Sequence, residues 1–587
     1  MSSPLSPPDV RPSKSLPTMC FFGATIGVIA GVGAWFFRLL IGTFHNLLFL
    51  GELSFTYDAN VHTPPSPWGA AVILVPPAGA IVVVWLVKTF APEAKGHGVP
   101  EVMDAIHYQQ GRIRPVVAVV KSLASAICIG SGGSVGREGP IIQIGSAFGS
   151  ALGQFTHLPT RQIIVLISAG AAGGIAATFN APLGGIVFAI ELLLVSINVR
   201  SLLPVGISTV VACYLGRALI GMSPAFNFPP LQSPSFELSS PWTLILCMPF
   251  GVVMGLVSVA FVRGLYWAED RFDALPVNDY VRHVAAMTVV GVIMYVLHMA
   301  TGHYYIQGVG YATIMDLIRG VLTSPTLIVI LFLCKLVVTC LTLGSGGSGG
   351  VFSPALFMGA TCGALCAHLL AWLLPSFEIS HVFLVLAGMA AAIAGTTGAI
   401  VTSAVMVLEM TDDVNVTLPI VLTSVFALGV RKWISPESVY TLKLIRRDHV
   451  VPEGLQAALL DSRRVSDVMH QPFRVLPSTA TWSPFSGTTI VFEDHRIRGV
   501  IRGAPSRQDD PQKLLANCEG KYVVATPLTP LTDCLRQMHA EKAWAIVVVR
   551  VLPCQHESDV VGVVTDRELA DWQRGAANLL EGGRVTT

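Results

Sequence analysis

Glu138 lies in Gly136-Arg137-Glu138-Gly139-Pro140, inside an otherwise apolar stretch. An acid at membrane depth is expensive, which marks it as a working residue. Its segment is one of three with a common design, a glycine-rich turn, a proline and then an apolar helix. The others are Gly96-His97-Gly98-Val99-Pro100 and Gly349-Gly350-Val351-Phe352-Ser353-Pro354. Proline suits the first helical turn, where its missing N–H is not needed. Glycine lets backbone approach a bound ion closely. A helix N-terminus offers free N–H groups and about half a positive charge. Three such ends meeting at mid-membrane seat a small anion without any full cation, weakly enough to release it. The candidate anion-binding residues are therefore His97, Gly98, Gly136, Arg137, Gly139, Gly350, Val351 and Phe352. Glu138 competes for the same seat as a tethered anion, and protonation or rotation of its side chain opens the path. The plainer role for Glu138 is an N-terminal cap or an ion pair with Arg137.

Composition supplies the membrane these ends require. Of 587 residues, 52% are hydrophobic and 12% charged, and the mean hydropathy is +0.64. Soluble chains carry about a quarter charged residues, so a wholly soluble, disordered or fibrous protein is excluded. A net charge of +1 gives no basic field for nucleic acid. Eleven cysteines without a CxxC pair argue against disulfides and structural zinc, and no metal is expected. Cys362 and Cys366, at helical spacing, read as core. Charge is uneven: residues 448–587 hold 32 of the 73 charged side chains, which leaves 41 for the first 447. Three regions follow: a disordered tail over 1–17, a membrane domain over 18–447 and a soluble domain over 448–587.

Apolar stretches recur near 19–50, 68–90, 115–130, 162–195, 201–222, 241–263, 283–300, 324–343, 353–374, 380–410 and 416–434. A helix needs about 20 residues to span, and the short, glycine-broken stretches are tolerated only where they line a cavity or pack on protein. The first stretch lacks a small-residue cleavage site and reads as a span. Arg11 and Lys14 precede it, and Lys443, Arg446 and Arg447 follow the last, so both termini are expected in the cytoplasm.

The membrane part repeats itself. GSGGSVG over Gly130–Gly136 returns as GSGGSGG over Gly344–Gly350, at an offset of 214, and the glycine-alanine helix over Ala169–Glu191 returns over Ala387–Glu409, at 218. Duplicated halves, about 18–222 and 240–434, are a transporter signature with the substrate at their junction. Lys121 and Lys335 each precede a glycine loop at the shared offset of 214. They lend positive potential to a pathway or, more plainly, turn their amines to carbonyls.

GHGVP, GREGP and GGVFSP, in this order and spacing, resemble the three signature segments of the CLC chloride channels and transporters, over about residues 19–447. Tyr440, in SVYTLK, matches that family's ion-coordinating tyrosine. The resemblance implies a mainly α membrane protein, with a CLC fold of two inverted repeats and broken helices. It further implies a homodimer in the lipid bilayer, the inner membrane in a bacterium, with one chloride pathway per subunit. Glu138 would be the gating glutamate. The backbone amides of Val351 and Phe352, with the Tyr440 hydroxyl, would coordinate the central anion. Fluoride-exporting relatives depart from the GREGP proline and the tyrosine, whereas Pro140 and Tyr440 are present, which favours chloride.

Two departures from the family pattern bear on function. His97 stands where a serine is usual; an imidazole with an ordinary pKa near 6.5 makes conduction acid-sensitive and leaves the anion ranking open. Leu192 stands where exchangers of the family carry an internal proton-relaying glutamate, next to Glu191. Glu191 has its own repeat partner in Glu409, which suggests a structural role for both. On this evidence the sequence points to a passive, voltage-gated type of anion channel, with a proton-coupled chloride exchanger as the alternative. An enzyme would need a nucleophile–base or metal-ligand constellation, and a cation transporter would need acidic rings; the sequence offers neither.

The soluble part contains GVVTDREL over Gly562–Leu569, which resembles the end of a CBS domain, where a threonine and a later acid hold a ribose. The matching residues are Thr565 and Glu568. The corresponding end of an earlier unit, Gly499–Gly503, lacks both. The expectation is a cytoplasmic α/β tandem CBS pair, with an adenine nucleotide at one site or none.

Overall fold

The computed structural model describes residues 13–221, 241–375, 380–411, 416–449 and 451, and in the tail 464–469, 473–478, 485, 487–493, 496–502, 518, 520–529, 531–550, 554 and 556–569. The chain divides into two compact units, Met1–Gly454 and Leu455–Thr587. Helix α1 runs Leu16–His45 with proline in its first turn. Residues 16 and 17 of the expected disordered tail are therefore helical, and residues 1–12 lie outside the described residues.

The rest of the first half comprises α2 Val75–Phe90, α3 Val99–His107, α4 Val116–Gly130, α5 Glu138–Phe155, α6 Thr160–Phe179, α7 Pro182–Leu192 and α8 Val199–Ile220. The second half comprises α9 Pro241–Asp273, α10 Asp279–Thr301, α11 Tyr311–Ile318, α12 Pro325–Gly344, α13 Phe352–Leu373, α14 His381–Thr397, α15 Ile400–Thr411, α16 Thr417–Ile434 and α17 Thr441–Ile445. Among the described residues, nine helical segments are long and apolar enough to cross a membrane. The protein is a mainly helical, multi-pass integral membrane protein.

The stretches 162–195 and 380–410 each read as one run in the sequence, but both break. Asn180, left-handed at φ 60°, ends α6, and Gly398 at φ 85° ends α14. Both are ordinary helix stops. Hydropathy misses them because a break of one or two residues is averaged away between two long apolar helices.

The two halves make the same contacts. Gly145 and Gly149 of α5 lie against the carbonyls of Gly170 and Leu166 on α6. Gly359 and Gly363 of α13 lie against those of Gly388 and Leu384 on α14. Offsets of 214 and 218 convert one set into the other. Small residues four apart let backbones touch where lipid gives helices no hydrophobic reason to associate. On α1, Gly23 and Gly27 meet Pro204 and Ser208 of α8, and on α9, Gly251 and Gly255 meet Thr423 and Ala427 of α16.

The halves also cap each other. Glu191, at the end of α7, accepts from the amides of Val401 (3.0 Å) and Thr402 (2.7 Å) at the start of α15. Glu409, at the end of α15, accepts from Leu183 (3.0 Å) and Gly184 (2.7 Å) at the start of α7. A carboxylate at a helix N-terminus satisfies orphan donors and complements the dipole. The pairing gives both acids the structural role their repeat relation suggested.

The second unit holds two matching sheets. In one, β1 Phe473–Pro477 pairs in parallel with β2 Thr488–Glu493, which pairs antiparallel with β3 Arg496–Ile501. In the other, β4 Tyr522–Ala525, β5 Ala545–Val549 and β6 Val560–Thr565 repeat that order, with helix α18 Leu531–Glu541 between β4 and β5.

A side chain at the glycine crossings has no room. Gly359→Val is expected to replace the monodisperse peak of the detergent-solubilised protein with aggregate in size-exclusion chromatography, whereas Gly429→Val, in open space, leaves the peak intact.

Candidate functional site

The glycine loops of the two halves are sewn together by backbone. Gly136 donates to the Gly350 carbonyl (2.7 Å), and Gly350 donates back to Gly136 (2.6 Å). Gly96 donates to Gly347 (3.0 Å), and Gly349 to Gly96 (3.2 Å). Ser348 Oγ donates to the Ala94 carbonyl at 2.8 Å. These bonds bring the starts of α3, α5 and α13 together, as the three segments anticipated. Glycine is required at the junction: a Cβ at Gly139 would overlap the His97 carbonyl, and one at Gly350 would lie 2.8 Å from the Gly139 nitrogen.

The structure adds a fourth helix start that the sequence reading missed. α11 begins at Tyr311 after Gly310, whose φ of 80° matches the 83° of Gly98 before α3. Gly308-Val309-Gly310-Tyr311 is the counterpart of Gly96-His97-Gly98-Val99, at an offset of 212. The signal was present as a second GxG turn, but it lacks proline, and so escaped a search built on proline. Lys121 and Lys335 brace these paired turns. Lys121 Nζ donates to the carbonyls of Ala94 (3.0 Å) and Gly96 (2.7 Å), and Lys335 Nζ to those of Ile306 (3.0 Å) and Gly308 (2.9 Å). Of the two roles considered for these lysines, the carbonyl-bonding one is what the geometry displays.

Glu138 opens α5 and is 1% exposed. Its carboxylate does not pair with Arg137 among the described ion pairs; the Arg137 guanidinium instead lies 5.2 Å from the centre of the Tyr311 ring. The Tyr311 hydroxyl donates to Glu138 Oε1. Ser353 Oγ lies 2.7 Å from both carboxylate oxygens. Glu138 thus sits where α5, α11 and α13 meet, among hydroxyl donors and helix N-termini.

A second group gathers around His97. The imidazole is buried, its ring centre is 5.9 Å from that of Tyr440, and its Nε2 is 3.4 Å from the Tyr266 hydroxyl. Among the described residues, its Nδ1 has no hydrogen-bond partner. Tyr440 is buried just before α17. Val351 precedes α13 and Phe352 opens it, with the Phe352 ring 5.7 Å from Phe179. Gly139 joins the two groups, with Glu138 before it in the chain and the His97 carbonyl against it. Leu192 ends α7, buried beside the capping residue Glu191. In the tail unit, Glu568 accepts from the Thr565 amide (2.8 Å) and hydroxyl, so the candidate nucleotide residues are engaged with each other.

Comparison with known proteins fits this architecture. Residues 79–432 match the family model described as voltage gated chloride channel. The H(+)/Cl(-) exchange transporter ClcA of Vibrio campbellii is 32% identical over 438 residues, covering 73% of this chain and 89% of that protein. A slow cyanobacterial Cl-/H+ antiporter shares the fold with a TM-score of 0.64 at 23% identity, over 73% of this chain and 98% of its own. A eukaryotic CLC transporter does so with a TM-score of 0.62 at 19% identity, over 94% and 98%. The chain belongs to the voltage-gated chloride channel, or CLC, family. It is a chloride-transporting membrane protein and not an enzyme.

Removing the Glu191 cap leaves the buried Thr402 amide without an acceptor, which costs about 1–3 kcal/mol, and the more exposed Val401 amide to water. Glu191→Ala is expected to lower the melting temperature of the purified protein by several degrees, and Glu191→Gln by less, as measured by intrinsic fluorescence.

Proposed function

We propose that the protein exchanges chloride for protons, with Glu138 as the acid that both carries the proton and occupies the anion seat. The observation that carries this reading is the burial of Glu138 among donors alone. An anion can take that place only when the carboxylate leaves or is neutralised, and neutralisation ties anion passage to a proton. The name of the Vibrio campbellii relative, an H(+)/Cl(-) exchange transporter, supports exchange over the passive channel that Leu192 first suggested. Leucine holds no proton, so another inner route is needed. His97 is the candidate: its imidazole is buried near Tyr440, and its Nδ1 is unengaged among the described residues. The channel is the second reading, favoured by Leu192 alone.

In this reading the central chloride lies between the amides of Val351 and Phe352 and the Tyr440 hydroxyl, flanked by the turns at Gly98, Gly136, Arg137, Gly139 and Gly350. The termini are cytoplasmic. Arg446 and Arg447 are paired with Asp270 (2.6 Å) and Glu101 (2.7 Å), but acids contribute little to the positive-inside rule. The protein functions as a homodimer, and exposed apolar side chains such as Leu203, Val210, Leu418 and Val425 supply surface for lipid or a second copy. The tail is a tandem CBS pair, supported by its two copies of one sheet order. The closed Thr565–Glu568 contact favours a pair without nucleotide, so titration of the whole protein with ATP, ADP and AMP is expected to leave its melting temperature unchanged.

Proteoliposomes with a chloride gradient and a clamped voltage test the central claim. Chloride efflux is expected to drive protons inward against their own gradient, read as an external pH rise. Efflux without proton movement establishes the channel. Glu138→Gln is expected to keep chloride flux and abolish proton movement. His97→Ser is expected to keep chloride flux and to reduce proton movement, read as a smaller external pH rise for the same chloride efflux.

A further inference from the structure

We propose that Tyr311 and Ser353 are positioning residues that form a hydroxyl latch on Glu138, setting the pH at which its carboxylate leaves the anion seat. This rests on Glu138 being the gating acid. Both residues arise where the two halves of the repeat differ. Tyr311 takes the place that Val99 holds in the first half, and Ser353 the place of Gly139. The turns around them are braced by Lys335 and by backbone bonds.

The geometry is closed on itself. Tyr311 is fully buried at the first position of α11, and Ser353 is fully buried in the first turn of α13. The phenol donates to Oε1, Ser353 Oγ is 2.7 Å from both carboxylate oxygens, and the two hydroxyl oxygens are 3.1 Å apart. Two O–H donors thus face one ionised carboxylate. The helix ends that carry them add positive partial charge, and the Arg137 guanidinium lies 5.2 Å from the Tyr311 ring, favouring the ionised acid further.

A proton on Glu138 destroys this balance. The cluster then holds three O–H groups around oxygens already crowded to hydrogen-bond distance, and the carboxyl loses its charge-assisted bonds, which are about twice as strong as neutral ones. The protonated side chain is therefore released, while the ionised one is retained. The titratable and charged groups facing the cluster are Arg137 from the α5 turn, Tyr311 from α11, Lys335 from α12 and Tyr440 from the turn before α17. The Lys335 ammonium is 5.1 Å from the Phe357 ring and bonded to carbonyls. Arg137 adds positive potential, acting in the same direction as the latch.

Removing a donor weakens the hold on the ionised form, so a lower proton concentration suffices for release. Chloride flux into proteoliposomes, measured against external pH, is the test. Tyr311→Phe and Ser353→Ala are each expected to move the midpoint of acid activation up by about one pH unit, and the double variant by more, since hydrogen bonds to the charged form of an acid shift its titration by that order. A residue that merely fills space would change the amplitude and leave the midpoint alone. Unshifted midpoints in both single variants overturn the latch. Should Tyr311→Phe fail to give a monodisperse peak, Ser353→Ala, a smaller change, decides the matter alone. Glu138→Gln separates this proposal from the one beneath it: if flux in that variant still follows external pH as in the parent, Glu138 is not the gate. If its pH response vanishes while the hydroxyl variants stay unshifted, the gate stands and only the latch falls.

Discussion

Helix ends of like polarity repel, and this protein forces several of them together. The pair of backbone bonds between Gly136 and Gly350, at 2.7 and 2.6 Å, holds α5 and α13 nose to nose against that repulsion. The other determinants of the site follow from it. Residues at the junction must be glycine, since the backbones are too close for side chains. A negative charge must also sit nearby, because converging positive ends are stable only with a counterion. The Glu138 carboxylate meets that demand in this structure. In the proposed exchange, a bound halide and the carboxylate are alternative answers to one electrostatic problem posed by the fold.

The scaffold is symmetric and the chemistry is not. Both halves share glycine crossings, lysine-braced turns and reciprocal caps. Against this matched frame, Glu138 in one half faces its counterpart Phe352 in the other, Gly139 corresponds to Ser353, His97 to Val309 and Val99 to Tyr311. Duplication supplied converging helix starts, and divergence at these few positions supplied an acid, an imidazole and hydroxyls. The function resides in the differences between the halves.

Much of this was legible in the sequence because membrane proteins write their constraints in glycine, proline and rare charges. The three proline-marked starts, the repeat and the isolated acid could all be read directly, since each is costly anywhere else. The structural role of Glu191 and Glu409 was legible through their shared offset. The breaks at Asn180 and Gly398 were not, because a single left-handed residue is averaged away inside a long apolar run. α11 was hidden because Ala312 stands where its counterpart α3 has Pro100. The surroundings of Glu138 were invisible for a different reason: Tyr311 and Ser353 lie 173 and 215 positions away from it, and only tertiary structure brings them near.

The reciprocal caps on α7 and α15 bear on how the chain is assembled. Ribosomes deliver α7 more than 200 residues before Glu409, so the first half enters the bilayer with two amides at its α7 start still lacking their acceptor. Those amides are answered only once the second half has been threaded alongside. Biogenesis therefore cannot finish one half and then add the other, and the native state is reached by mutual closure late in synthesis. A product truncated before that acid would expose its incompleteness at a defined spot, where quality-control proteases can find it.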